Sequence, residues 1–126
     1  MSQEFTVEII SPDSSVYIGE ANEVVLPCFE GQITILKDHI PLITFLRPGF
    51  IEVEKKEKFY VEDGTIEFSN NKLLILSSTA QSLKNISSEK IINLLKDAEE
   101  KILNNKISDK QKYVLNYKIE SLKQIN

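Results

Sequence analysis

The sequence predicts a mainly β protein with an α-helical end: an N-terminal sandwich or flattened barrel of about eight to ten short strands, then a C-terminal antiparallel two-helix hairpin. Three observations carry that reading. Apolar residues recur with a period of two from Phe5 to Leu76. Turn-forming pairs interrupt them at Pro12-Asp13, Glu30-Gly31, Pro48-Gly49, Asp63-Gly64 and Asn70-Asn71. From Ser87 the period becomes helical. Successive side chains of a strand point to opposite faces, whereas those of a helix return every 3.6 residues, so the two periods mark two kinds of packing.

Taken in order, Phe5, Val7 and Ile9 alternate with Thr6 and Glu8 to open the first strand. Val24-Val25-Leu26 lacks alternation and is expected to be covered on both faces, as is Leu73-Leu74-Ile75-Leu76. Ile33 and Ile35 flank Thr34, Ile51 and Val53 alternate with Glu52 and Glu54, and Phe59 and Val61 with Tyr60 and Glu62. Ile66 and Phe68 alternate with Thr65 and Glu67. Asp63-Gly64, between two such runs, reads as a hairpin turn, because glycine tolerates positive φ. The expected core includes Phe5, Val7, Ile9, Ile33, Ile35, Val53, Phe59 and Phe68. Thr79 to Ile86 reads as a hinge, dividing a sandwich over 1–84 from a helical region over 85–126.

The first helix carries an apolar stripe of Ile91, Ile92, Leu94, Leu95, Ala98, Ile102 and Leu103, with Ser87 or Ser88 as its cap and Asn104-Asn105 at its end. Ser108-Asp109-Lys110-Gln111 reads as a capping box for the second, whose stripe is Leu115, Ile119 and Leu122 beside Val114 and Tyr117. The short link brings the helices back antiparallel. Neither stripe can be buried by its own helix, so the pair must pack together, on the sandwich, or on another protein.

The 126 residues suffice for one small domain with an appendage. The single cysteine, Cys28, excludes an intrachain disulfide. No run approaches the roughly 18 apolar residues of a membrane span. The acidic Met1-Ser-Gln-Glu-Phe start does not read as a signal or transit peptide, so the chain is expected to remain where it is made and to reach a membrane only through a partner. The net charge of −4 argues against a nucleic-acid binder. Its distribution is uneven: residues 1–86 hold 13 acidic and 7 basic side chains, and residues 87–126 hold 6 and 8. A basic end on an acidic body suits an acidic target, inside the chain or outside it; a solvated helix face accounts for it equally.

Chemistry-bearing sets are missing. One histidine and one cysteine cannot assemble a Cys/His metal site. His39 has no nucleophile or orienting group at a useful spacing and reads as a structural or interface residue. Cys28, where a strand meets a turn, reads as a buried or half-buried thiol. Arg47 is the only arginine, which excludes a multi-arginine phosphate clamp and leaves a corner hydrogen-bond donor. No glycine-rich phosphate loop is present. Neither cofactor nor metal is expected, and catalysis by this chain alone is not.

The stretch Leu26 to Gly49, LPCFEGQITILKDHIPLITFLRPG, has an order that alternation does not require: Glu30-Gly31, a short strand, Asp38-His39-Ile40-Pro41-Leu42, then Leu46-Arg47-Pro48-Gly49. With its spacing preserved it resembles the ε subunit of F-type ATP synthases, bacterial or plastid type. The resemblance extends from about Phe5 to Ala80, opening on Val7-Glu8-Ile9-Ile10-Ser11-Pro12 and closing on Phe59 to Phe68 and Leu73 to Leu76. Cys28, Phe29, Lys37, Asp38 and Asp63 depart from the family pattern, which favours Gly, Pro, Asn and small or polar residues at those turns.

The resemblance implies a non-catalytic subunit that couples a proton-driven rotor to the catalytic head. It implies binding to the γ subunit and to the membrane c-ring, with Glu30, Gly31 and Gln32 at the c-ring edge and His39, Pro41 and Leu42 in neighbouring rotor contacts. It further implies that the helices can meet the α and β subunits of the head and restrain ATP hydrolysis, with Lys110, Lys112, Lys118 and Lys123 as the basic contacts. The implied location is peripheral, on the cytoplasmic face of a bacterial inner membrane, with the stromal side of a plastid as the alternative. Some members bind ATP through an Asp/Arg-containing motif on the helices; residues 81–126 contain no arginine, which disfavours a nucleotide-sensing rival. The other rival is a free-standing sandwich adaptor outside any ATP synthase, which would not copurify with membranes.

Overall fold

The computed structural model describes residues 3–125. Ten strands are followed by two helices. One layer is built on β3 (Glu23–Cys28), which pairs antiparallel with β4 (Gly31–Leu36) on one side and with β6 (Gly49–Val53) on the other. β6 continues to β7 (Glu57–Val61), and β7 to the two-residue β10 (Gln81–Ser82). The second layer runs β5 (Leu42–Leu46), β8 (Gly64–Ser69), β9 (Lys72–Leu76), β1 (Phe5–Ile10), β2 (Ser15–Ala21). β1 and β9 are parallel; the other pairs are antiparallel. A single pairing, Cys28 with Leu46, joins the layers into one path.

The core lies between the layers and draws on alternate residues of nine strands. Phe5, Val7, Ile9, Ile35, Val53, Phe59 and Phe68 are buried in it, together with Val24, Leu26, Ile51 and Ile75. Ile33 differs from expectation by being only partly buried against its margin, near the β3–β4 turn. Phe5 meets Phe68 edge-on with ring centroids 5.6 Å apart, and Tyr17 meets Phe59 at 5.5 Å. Val24, Val25 and Leu26 are all buried, as their lack of alternation predicts. The β9 run is not covered on both faces: Leu73 and Ile75 are buried while Leu76 is 46% exposed.

Asp63-Gly64 is not a hairpin turn. β7 and β8 lie in different layers, and the pair carries the chain from one to the other, so Gly64 pairs with Leu46 instead. Glycine is needed for a reason beyond its φ of +150°: a Cβ there would stand 2.5 Å from the Leu76 carbonyl oxygen. The buried Ser77 hydroxyl donates to the Asp63 carbonyl at 2.7 Å, fixing the crossing. Two hairpin corners place non-glycine residues in the left-handed region: Glu54 and Lys55 between β6 and β7, and Asn70 and Asn71 between β8 and β9. Asn and Asp adopt that region with the least cost after glycine.

α1 (Ser88–Ile102) is capped by Ser87, whose hydroxyl accepts from the Lys90 amide. α2 (Asp109–Gln124) begins with the predicted capping box, Ser108 and Gln111 satisfying each other's backbone amides. The helices pack on each other and on the outside of the β6–β7 layer, in a second apolar cluster of Tyr60, Ile91 and Leu122 with Phe50, Leu94 and Leu95 at its edge. The α1 stripe is narrower than its sequence suggests: Ile91 and Ala98 are buried, but Ile92 is 62% and Leu103 80% exposed. The expected hinge is not a loose tether, because β10 pairs with β7 in its middle and Leu83 and Ile86 join the second cluster.

Candidate interaction surfaces

Three surfaces stand out: the two loops at opposite ends of β4, the outer face of the β5–β2 layer, and the seam between α2 and the sandwich. At the first, Phe29 and Glu30 make the β3–β4 turn, with Gly31 at φ +127°. The Glu30 carboxylate accepts from the Thr44 hydroxyl at 2.9 Å, while Gln32 is exposed. Lys37 and Asp38 turn the chain from β4 towards β5, Asp38 at φ +66°. That conformation is supported by a reciprocal pair with Asn71: the Asp38 amide donates to Asn71 Oδ1 at 2.7 Å, and Asn71 Nδ2 donates to the Asp38 carboxylate at 2.9 Å. The departure from glycine or asparagine at 38 is thus accommodated by a partner 33 positions away.

The loop that follows packs through its inner side and is apolar outside. His39 sets Nδ1 2.8 Å from the Ile40 carbonyl and stands edge-on to Phe68, with centroids 5.9 Å apart. Pro41 is exposed, and Ile40 is 74% exposed. Leu42 pairs with Phe68 and packs partly against the core, so it is less available to a partner than its sequence position suggests. Its neighbour Ile43 is 75% exposed.

Ile43 begins the second surface. The strand registers align Ile43, Glu67, Leu74, Glu8 and Ile18 in one row across the layer, and Phe45, Thr65, Leu76 and Ile10 in the next. Ile18, Ile43 and Phe45 are all more than half exposed. Exposed apolar side chains thus alternate with Glu8 and Glu67 across this face, which makes it a candidate contact surface. A groove of about 1010 Å³ opens at one end of it, lined by Phe29, Phe45, Leu76 and Lys110 among others.

The third surface is aromatic. The Tyr113 ring stacks on Phe29 with centroids 5.8 Å apart, and its hydroxyl donates to the Phe29 carbonyl at 2.8 Å. Tyr113 meets Tyr117 edge-on at 4.9 Å, and the Arg47 guanidinium lies 3.8 Å above the Tyr117 ring. Arg47 donates to the Pro48 carbonyl, the corner role expected of it. Lys118 pairs with Glu62 at 3.2 Å, and Glu62 also accepts from the Tyr60 hydroxyl. The four tail lysines are therefore not one group. Lys118 is nearly buried and committed to the sandwich, Lys110 stands 5.7 Å over the Phe29 ring, and Lys112 and Lys123 are exposed.

No cluster of three metal-ligating side chains occurs among the described residues. Cys28 is buried, its thiol pushed up to about 11 by desolvation, with Glu30 adding and Arg47 opposing. A protonated, enclosed thiol is not a nucleophile. No helix among the described residues is long and apolar enough to cross a membrane.

Sequence reasoning missed Ile43, Phe45, Tyr113 and the partnership of Phe29. Alternation marked β5 poorly because its apolar residues point both ways: in Leu42-Ile43-Thr44-Phe45-Leu46 the outward positions are as apolar as the inward ones. That doubling was the available signal. Nothing local signals that Phe29 and Tyr113, 84 positions apart, meet.

Residues 4–83 match the model of the ATP synthase delta/epsilon chain β-sandwich domain. The ATP synthase epsilon chain of Pelagibacter ubique is 46% identical, with all of both chains covered. That of Dichelobacter nodosus is 37% identical over 81% of this chain and 74% of its own length. Among solved structures, a chain of the Euglena gracilis mitochondrial ATP synthase (OSCP/F1/c-ring) superposes with a TM-score of 0.76 at 18% identity, covering 98% of this chain and 82% of its own. A chain of the Tetrahymena thermophila mitochondrial ATP synthase central stalk and c-ring gives 0.64 at 12%, covering 94% and 93%. At those identities the structures speak for the fold, which includes the helical end.

Proposed function

The chain belongs to the ATP synthase epsilon chain family, a non-catalytic subunit, and on that premise we propose that its sandwich seats it in the rotor of an F-type ATP synthase and couples the rotor to the catalytic head. The observation that carries this reading is the open apolar face of the β5–β2 layer. Ile43 and Phe45 stand exposed on a sheet whose other face is fully packed, at a cost that only a partner removes. The γ subunit is the proposed occupant of that face. The charged and polar Glu30–Gln32 turn is the part proposed to meet the polar loops of a c-ring, and the loop carrying His39, Pro41 and Leu42, at the other end of β4, is the part proposed to make the neighbouring rotor contacts. The protein then sits peripherally on the membrane, on the cytoplasmic side in a bacterial cell, and touches lipid only through the ring. Its helices are the proposed means of restraining hydrolysis in the head.

The test is purification of the protein from membranes in mild detergent, with identification of the bound subunits. Wild type is expected to bring γ and c with it. Ile43→Asp is expected to lose γ, because a carboxylate without a partner in an apolar interface costs several kcal/mol. The same variant is expected to keep its melting temperature within about 2–3 °C, since Ile43 is exposed and surface changes of that kind shift stability by only about 0.5 kcal/mol. Retention of γ by Ile43→Asp would remove this face from the interface. Recovery of wild type without any ATP synthase subunit would favour a free-standing adaptor.

A further inference from the structure

We propose that the β3–β4 turn and the helical tail are energetically coupled through a Phe29–Tyr113 clasp, so that seating the helices orders the turn and occupation of the turn holds the helices seated. The identity of the occupant rests on the reading of that turn as the c-ring edge; the intramolecular coupling does not.

Phe29 occupies the turn itself, next to Glu30. Tyr113 holds it twice: the ring stacks on the Phe29 ring, and the hydroxyl donates to the Phe29 carbonyl. The contact continues through Tyr117 to Arg47, and the Arg47 amide donates to the Pro27 carbonyl at 2.9 Å, just before the turn. One face of α2 therefore grips the turn and the strand that leads into it. The turn stays open to solvent at Glu30, which is exposed with the helices in place and whose carboxylate accepts from Thr44. A partner seated there does not compete with Tyr113. It gains from a turn already ordered, because a binding segment that is preorganised loses less entropy. Linkage then runs both ways: whatever strengthens the partner's hold on the turn strengthens the seating of the helices by the same factor. A small or polar residue at position 29 would offer no ring to stack, so the coupling belongs to sequences that carry an aromatic residue there.

Hydrogen exchange on the full chain tests the intramolecular part. Tyr113→Ala is expected to speed exchange of the amides from residues 29 to 32, and Phe29→Ser to speed exchange along residues 113–122. Each change is expected to be about 2- to 10-fold, the scale of one aromatic pair. Tyr113→Phe keeps the ring and loses the hydroxyl bond, and should fall between wild type and Tyr113→Ala. Lys112→Gln, exposed on the same helix, should do nothing to the turn. Effects confined to the substituted element would overturn the clasp. The second arm measures binding to a rotor of γ and c-ring reconstituted in nanodiscs, where Tyr113→Ala should bind several-fold more weakly than wild type. Equal binding by both would overturn the coupling to the partner. Failure of wild type to bind the rotor, with the reciprocal exchange effects present, would instead remove the c-ring reading of the turn and leave the clasp standing.

Discussion

Cys28 illustrates how one residue reports on the closure of the fold. It lies at the one strand pairing between the two layers among the described residues, is fully buried, and burial pushes its thiol up to about 11. In the unfolded chain a thiol titrates near 8.5. Between those values the native state holds a proton that the unfolded state has released, so stability falls as pH rises through that window and is complete below it. The buried Tyr60, raised by desolvation and then by Glu62, adds a loss of the same sign at higher pH. Urea midpoints measured from pH 8 to 11 should therefore decline, with Cys28 contributing on the order of 2 kcal/mol. The decline should be shallower in Cys28→Ala. An identical slope in the variant would mean that the thiol meets solvent and that the joint between the layers is open.

At the scale of elements, the tail lysines divide by what they touch. Lys118 bonds Glu62 only while α2 is seated, whereas Lys112 and Lys123 are exposed and free to meet an acidic surface of the head. If the helices leave the sandwich to restrain hydrolysis, the two sets should act oppositely. Lys118→Gln removes an interaction worth on the order of 1 kcal/mol from the seated state and should deepen inhibition of ATP hydrolysis. Lys112→Gln with Lys123→Gln should relieve inhibition, as should added salt, because exposed charge contacts are screened. The measurement is the ATPase rate of the assembled complex with each protein. Equal rates throughout would make the helices a structural appendage here and leave the coupling role intact.

The molecule as a whole has two apolar clusters of unequal size. The one between the layers draws on nine strands and contains no residue of either helix. The other holds the helices to the β6–β7 layer through Tyr60, Ile91 and Leu122. The division at residues 84 and 85 then predicts that a 1–84 fragment unfolds in one cooperative transition. Its stability should be lower by roughly 2–4 kcal/mol, since Tyr60 and Phe50 lose their cover. A near-UV circular dichroism signal that survives truncation and melts sharply would support this; a molten or insoluble fragment would mean that the helices complete the sandwich rather than ride on it.

Strand and helix, the turns at Asn70-Asn71 and Glu30-Gly31, both helix caps and nearly all of the inward residues were decided by the sequence acting locally. Each depends on side chains within a few positions: the pleat sends alternate residues one way, and a serine oxygen reaches an amide three residues on. The order Glu30-Gly31, His39-x-Pro41-Leu42, Pro48-Gly49 was legible for the same reason, as a set of fixed spacings along one hairpin and the strand after it. Tertiary structure decided what depends on distance between segments. Asp63-Gly64 has the composition of a hairpin turn, yet it crosses between layers, because β8 pairs along its length with β5 in the other layer. Asp38 takes a left-handed conformation because Asn71 meets it from another turn. Lys118 belongs to the sandwich and Lys112 to solvent, although both read as basic positions on one helix, because only the direction of packing tells the faces of α2 apart. Periodicity fixes that a face exists; the partner it meets is set by burial summed over the whole chain, which no local window contains.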